Sequence, residues 1–160
     1  MGSRVGLGID THPRDEGRPL FLGGVRFEGE PGLAGHSDGD VICHALGDAL
    51  LGAAALGDLG QRFPDTDPAW AGIGGLALLG RVVVALRELG LRPLACDLTV
   101  LAERPHIARR RDEIRDNLAH ALGIAIDNIS VKATRPEGLG LTGDGAGCVA
   151  IAHVVSDPGR

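Results

Sequence analysis

The chain has 160 residues, enough for one domain with a real core, and its 44% hydrophobic and 23% charged content is that of an ordinary globular protein. A net charge of −5 argues against a nucleic-acid binder, and no apolar run approaches the roughly 18 residues a membrane span requires. Aromatics are only 2%, so the core must come from Leu, Val, Ile and Ala, while 26 glycines, many in polar loops, suggest backbone brought close to something bound.

No basic segment followed by a long apolar stretch opens the chain, so no secretory signal is expected. Cys43, Cys96 and Cys148 are odd in number, far apart and set in apolar surroundings. They read as reduced core residues of a cytoplasmic protein.

In chain order, Val5, Leu7 and Ile9 alternate with Gly6, Gly8 and Asp10, the period-2 pattern of a strand. Leu20 to Phe27 reads as a short hairpin around Gly23-Gly24. From Ser37, a candidate N-cap, the pattern turns helical through Val41, Ile42, Ala45, Leu46, Ala49 and Leu50, with Gly57 as the expected C′ residue. Residues 61–71 form a loop around Pro64 and Pro68. A second helix spans 75–89 and stops at Gly90, and residues 94–102 form a strand. Residues 105–122 read as a third helix with Pro105 at its start. Strands follow at 129–134 and 147–155, joined by a Gly-rich loop.

No repeat, linker or composition break appears, so residues 1–160 are expected to form a single domain. The fold class is α/β, an α+β two-layer sandwich: a mixed sheet of about four main strands with helices on one face. Strand order does not follow from the sequence. The final strand is apolar on both faces, so the uncovered side of the sheet calls for self-association.

Asp10-Thr11-His12 ends the first strand, and residues two apart on a strand share a face. Asp10 and His12 therefore point together, with Gly6 and Gly8 leaving open space beside them. A carboxylate and an imidazole side by side make two-thirds of a catalytic zinc site, although a short Asp-x-His pair also occurs on ordinary surfaces. His44, one turn into the helix that follows Gly35-His36-Ser37-Asp38-Gly39-Asp40, supplies a second imidazole. Asp40 and Asp48 flank it at i−4 and i+4, and Asp48, deeper in the helix, is the preferred acceptor for its other ring N–H. Asp38 and Asp40 equally suit a helix N-terminus. Phe63-Pro64-Asp65-Thr66-Asp67-Pro68 is the next polar cluster, and it and Asp58 before it also suit turns with an Asp N-cap, the commoner meaning of such runs. The late loop from Lys132 to Gly145 mixes cations, a hydroxyl, carboxylates and free backbone, a composition suited to phosphate and a phosphate-bound divalent ion.

Together these segments resemble the 2-C-methyl-D-erythritol 2,4-cyclodiphosphate synthases of non-mevalonate isoprenoid biosynthesis. The resemblance spans essentially the whole chain. It rests on Gly8-Ile9-Asp10-Thr11-His12, on residues 34–40 (AGHSDGD), on residues 48–58 (DALLGAAALGD), on Phe63-Pro64-Asp65-Thr66-Asp67 and on Val131-Lys132-Ala133-Thr134.

The resemblance implies a specific enzyme, a phosphorus–oxygen lyase. Its substrate would be 4-diphosphocytidyl-2-C-methyl-D-erythritol 2-phosphate, whose 2-phosphate attacks the β-phosphorus to close a cyclic diphosphate and release CMP. It implies zinc on Asp10, His12 and His44, and a second divalent ion, magnesium or manganese, through Glu137. His36 and Ser37 would contact substrate, with His36 and Arg135 aiding catalysis. Asp58, Gly60, Phe63, Asp65 and Asp67 would meet the methylerythritol part. Ala102, Pro105, His106, Ala108, Ala133 and Thr134 would form the cytidine pocket. It also implies a homotrimer with sheets facing inward and active sites between subunits.

Departures from the family pattern cluster late in the chain. Arg135 stands where a Thr is usual, His106 where a Lys is usual, and Asp144 reverses a common charge. An arginine at 135 keeps the electrostatic sense of a phosphate contact but reaches farther. Two other functions fit the bare residues: a zinc phosphoesterase that activates water, and a non-catalytic metal-binding trimer.

Overall fold

Two glycines decide where the first helix lies. A Cβ placed on Gly6 would stand 1.9 Å from the carbonyl oxygen of Ala49, and one on Gly8 would stand 1.9 Å from that of Ala45. Only glycine lets a helix backbone settle this closely on a strand. In the computed structural model, which describes residues 2–157, strand β1 (Ser3–His12) thus carries helix α1 (Val41–Ala53) directly on its glycine face. The space beside Gly6 and Gly8, expected to be open, is filled by this helix.

A hairpin of β2 (Arg14–Leu22) and β3 (Val25–Leu33) follows β1 and forms a two-stranded sheet of its own. It is longer than the sequence suggested, but it turns at Gly23-Gly24 as expected, both with positive φ. After α1 come a short α2 (Leu59–Arg62), a 3-10 turn at Pro68–Trp70, α3 (Gly75–Glu88) and β4 (Leu91–Ala102). Next are a 3-10 turn (Ile107–Arg110), α4 (Arg111–Leu122), β5 (Ile129–Thr134) and β6 (Ala146–Ser156).

The main sheet runs β1-β6-β4-β5, mixed, with only β4 and β5 parallel. One face carries Cys96, Leu98, Val100, Cys148, Ala150, Ala152 and Val154, all buried beneath α1, α3 and α4. All three cysteines are buried and free. The opposite face is open: Val5, Leu7, Ile9 and Ile151 are 67%, 61%, 59% and 45% exposed. The architecture is the expected α+β layering with helices on one side. Among the described residues no helix is long and apolar enough to cross a membrane.

Three boundaries differ from the sequence reading. Asp40, not Ser37, caps α1: its carboxylate accepts the N–H groups of Ile42 and Cys43. Helix α1 ends at Ala53 rather than near Gly57. There Leu56 N–H returns to Leu51 and Ala55 N–H to Gly52, with Ala55 at φ 57, so an alanine fills the left-handed C′ place usually given to glycine. Pro105 lies outside the third helix, because His106 is extended and a 3-10 turn precedes α4.

Candidate metal centre and its pocket

Asp10 and His12 leave the last turns of β1 on the helix-facing side, and His44 comes down from the first turns of α1. Asp10 Oδ2 lies 3.0 Å from His12 Nε2 and 3.1 Å from His44 Nδ1. The donor atoms of all three lie within 4.8 Å of one another, the one such grouping of three or more His, Cys, Asp or Glu among the described residues. Around a tetrahedral ion with bonds of about 2.0–2.1 Å, neighbouring ligand atoms stand about 3.3 Å apart, within tenths of an ångström of both distances from Asp10. One carboxylate and two imidazoles, with a direction left free, suit a divalent ion that must also meet a substrate.

The electrostatics agree with that geometry. Burial by itself would raise the Asp10 pKa, but hydrogen bonds from His12 and His44 and the charge of both rings outweigh it and hold the carboxyl at about 2. Burial pulls His44 down, yet the hydrogen bond and charge of Asp10 win and move it up. Asp10 is therefore an anion at neutral pH, ready to bind a cation.

The partner that orients His44 is not the expected one. Its Nε2 lies 2.9 Å from Ser37 Oγ, which leaves Nδ1 turned to Asp10. Asp48 lines the same pocket, but its carboxylate accepts the Leu59 N–H at 2.8 Å, fixing the start of α2. Asp40 is fully buried and serves the backbone instead. Oδ1 accepts Gly23 N–H and Oδ2 accepts Gly24 N–H, at 2.8 and 2.7 Å, in addition to the cap. Asp38 likewise accepts the Gly75 N–H at the start of α3, at 2.7 Å. The two acids that flank Gly39 thus tie the 35–40 segment to the hairpin turn and to α3, and so set the height of Ser37 and His44.

A cavity of about 480 Å³ opens from the three ligands. Of the residues expected to meet substrate, His36, Ser37, Gly60, Phe63 and Asp65 line it. His36 Nε2 is 3.3 Å from Asp65 Oδ2, so the two polar segments meet across the mouth. Asp58 and Asp67 instead cap α2 and the 3-10 turn, accepting Gln61 N–H and Ala69 N–H, and neither lines the cavity. The sequence reading missed Trp70, Ile73 and Leu78 in the wall. Trp70 stands edge-on to Phe63 with centroids 5.0 Å apart. As the one tryptophan of an aromatic-poor chain, close to a polar loop, it carried a signal that could have been read. A larger hollow of about 770 Å³ between α3 and α4 holds none of the three ligands.

The remaining expected residues gather elsewhere. Ala102 ends β4, Thr134 ends β5, and Ala133 pairs with Val100. Arg135 Nη2 sits 3.2 Å from both ring nitrogens of His106. Glu137, exposed and at φ 53, follows in the same loop, and Glu103 accepts the N–H of Gly138. Ala102, Pro105, His106, Ala108, Ala133, Thr134, Arg135 and Glu137 line no part of the metal cavity. Strands β6 and β4 separate β1 from β5, about 14 Å at ordinary strand spacing. The expected site residues of one chain therefore fall into two separate groups rather than one closed site.

The model of the YgbB family matches residues 3–156. A 2-C-methyl-D-erythritol 2,4-cyclodiphosphate synthase of Salinibacter ruber is 53% identical over 93% of this chain and 95% of its own length. A bifunctional enzyme IspD/IspF of Anaeromyxobacter sp. is also 53% identical, over 92% of this chain but 38% of its own, so the chain spans about two-fifths of that longer relative. Among solved structures, a 2C-methyl-D-erythritol-2,4-cyclodiphosphate synthase with CDP bound superposes with a TM-score of 0.85 at 36% identity, covering 96% of this chain and 100% of that one. Matched over nearly its whole length in sequence and in fold, the chain belongs to the YgbB family, that of the 2-C-methyl-D-erythritol 2,4-cyclodiphosphate synthases.

Proposed function

We propose that the chain is a cyclodiphosphate synthase, a lyase of non-mevalonate isoprenoid biosynthesis. It converts 4-diphosphocytidyl-2-C-methyl-D-erythritol 2-phosphate into 2-C-methyl-D-erythritol 2,4-cyclodiphosphate and CMP. The observation that carries the reading is the Asp10–His12–His44 triad lining one cavity with His36, Ser37 and Asp65.

The nucleophile is a phosphate already ionised at neutral pH, so the chain needs no strong base. It needs to hold two mutually repelling phosphates in line and to neutralise charge as they meet. Asp10, His12 and His44 would hold zinc, and Glu137 would hold a second divalent ion, magnesium or manganese. When bound, such ions would supply Lewis-acid chemistry and neutralise phosphate charge. Ser37 keeps His44 in the tautomer whose Nδ1 can ligate. His36, paired with Asp65, faces the phosphorylated methylerythritol, which Gly60 and Phe63 also meet, while Asp58 and Asp67 cap the segments behind them. Ala102, Pro105, His106, Ala108, Ala133 and Thr134 bind the cytidine, a role supported by the CDP complex of the related synthase. Arg135 offers a guanidinium to the diphosphate as charge builds.

The separation of the two half-sites supports a shared active site: the metal half of one chain faces the nucleotide half of the next. A homotrimer with sheets turned inward would also cover Val5, Leu7, Ile9 and Ile151. Residues 1–160 act as one synthase domain in the cytoplasm. Incubation with the diphosphocytidyl substrate and zinc plus magnesium should yield CMP and the cyclic product in equal amounts. Release of inorganic phosphate or a linear product would favour a phosphoesterase, and no turnover would favour a non-catalytic metal protein.

A further inference from the structure

Strand β2 contains two arginines whose guanidinium groups are turned to backbone carbonyls. Arg18 Nη1 donates to the Gly35 carbonyl and Nη2 to that of Ser37. Arg14 Nη1 donates to the Pro31 carbonyl at 3.1 Å, Nε to that of Asp144 at 3.2 Å, and Nη2 to that of Arg104. Each fork therefore grips main chain, not a side chain. Arg18 grips the segment that presents His36 and Ser37 and that runs past the His12 ring, where a Cβ on Gly35 would lie 3.3 Å from His12 Cε1. Arg14 joins the hairpin to the segment leading into Pro105 and His106 and to the loop ahead of β6.

We propose that β2 is the positioning strand of both half-sites. Arg18 sets the substrate-facing segment of the metal half, and Arg14 sets the nucleotide-facing segment of the other. The inference rests on the function proposed above and adds two residues to it that touch neither metal nor substrate. Planar geometry is what the roles require. A guanidinium can span two carbonyls two residues apart, or three from separate segments, whereas a lysine ammonium is a single point of charge on a flexible stem. Gly35 and Ser37 are two residues apart and both are held, so rotation of the segment about either contact is blocked. Pro31, Asp144 and Arg104 come from three different segments, so Arg14 fixes their relative position.

The roles predict a split in function. Loosening the 35–37 segment misplaces groups that act on the reacting phosphates, which lowers kcat. Loosening the 104–106 segment weakens the hold on the nucleotide, which raises KM and the dissociation constant for CDP. The test uses the full chain loaded with zinc: wild type, Arg18→Met and Arg14→Met, with Arg18→Lys and Arg14→Lys beside them. Calorimetric titration with CDP in magnesium is set against steady-state CMP release, with metal analysis and thermal unfolding on every variant.

Arg18→Met should lose about tenfold in kcat with the CDP constant within about twofold of wild type, and Arg14→Met should weaken CDP about fivefold or more with kcat within about twofold. Zinc stays stoichiometric in both. The lysine variants should fall on the same side of the split as their methionine counterparts, and they carry the test if a methionine variant fails to fold. Equal loss of CDP affinity and kcat in both variants, or no loss in either, overturns the inference. A wild-type chain that releases no CMP overturns the proposed function and this inference with it, while an active wild type with unsplit variants overturns this inference alone.

Discussion

The two proposed half-sites are built in opposite ways. In the metal half, His44 and Asp10 are 13% and 23% exposed, and each functional group is held by a neighbour that is itself held. Asp40 anchors α1 to the hairpin, Ser37 orients His44, and Asp38 ties the segment between them to α3. In the proposed nucleotide half, His106, Thr134, Arg135 and Glu137 are all exposed, and the Arg135 guanidinium contacts an exposed histidine. Metal ligands must be fixed to within tenths of an ångström before substrate arrives. Under the proposed shared site, groups that complete a neighbour's pocket can stay solvated until the copies assemble. The difference also accounts for where the sequence departs from the family pattern: His106, Arg135 and Asp144 all fall in exposed loops, where a change of side chain disturbs little packing.

The sharpest break of this comparison is His44→Ala. Removing one of three ligands should abolish stoichiometric zinc by metal analysis and lower CMP formation about a thousandfold or more, while circular dichroism stays unchanged. Retained zinc at one per chain would show that the triad is not the metal site.

Asp40→Asn is next. The replaced oxygen would turn an NH₂ group toward the Gly24 N–H, leaving a buried donor facing a donor. Stability should fall by about 1–3 kcal/mol in urea unfolding. An unchanged midpoint would mean that the anchor of α1 lies elsewhere.

Arg135→Ala should have the smallest structural effect: unfolding free energy within about 0.5 kcal/mol of wild type, zinc intact, and activity lower by about tenfold. Loss of zinc or of fold in that variant would contradict the view that the nucleotide half is independent of the metal half.

The same contrast governs what could be read from the sequence. The triad was legible because its parts obey local rules: strand periodicity places Asp10 beside His12, and helical periodicity puts His44 near the start of α1. The orienting partner was not legible. Asp48 is the right residue by helix spacing, but the long-range contact with the Leu59 N–H claims it, and Ser37 reaches His44 only because Asp38 and Asp40 fold the preceding segment back. Gly6 and Gly8 were read as open space, whereas their missing side chains admit α1. The C-terminal boundary of α1 misled because Ala55 adopts a left-handed conformation where Gly57, two residues later, looked better suited. Strand order and the separation of the half-sites depend on tertiary pairing, on which local pattern is silent.

The proposed active site takes its metal half from one chain and its nucleotide half from another. Co-expression of His44→Ala chains and Glu137→Ala chains under two affinity tags, followed by tandem purification, isolates oligomers that contain both. In a ring of three, each mixed oligomer holds one interface with both halves intact, so CMP formation should return to about one-third of the wild-type rate although neither variant is active alone. Mixed oligomers as inactive as the single variants would place both halves of each site within one chain and contradict the account.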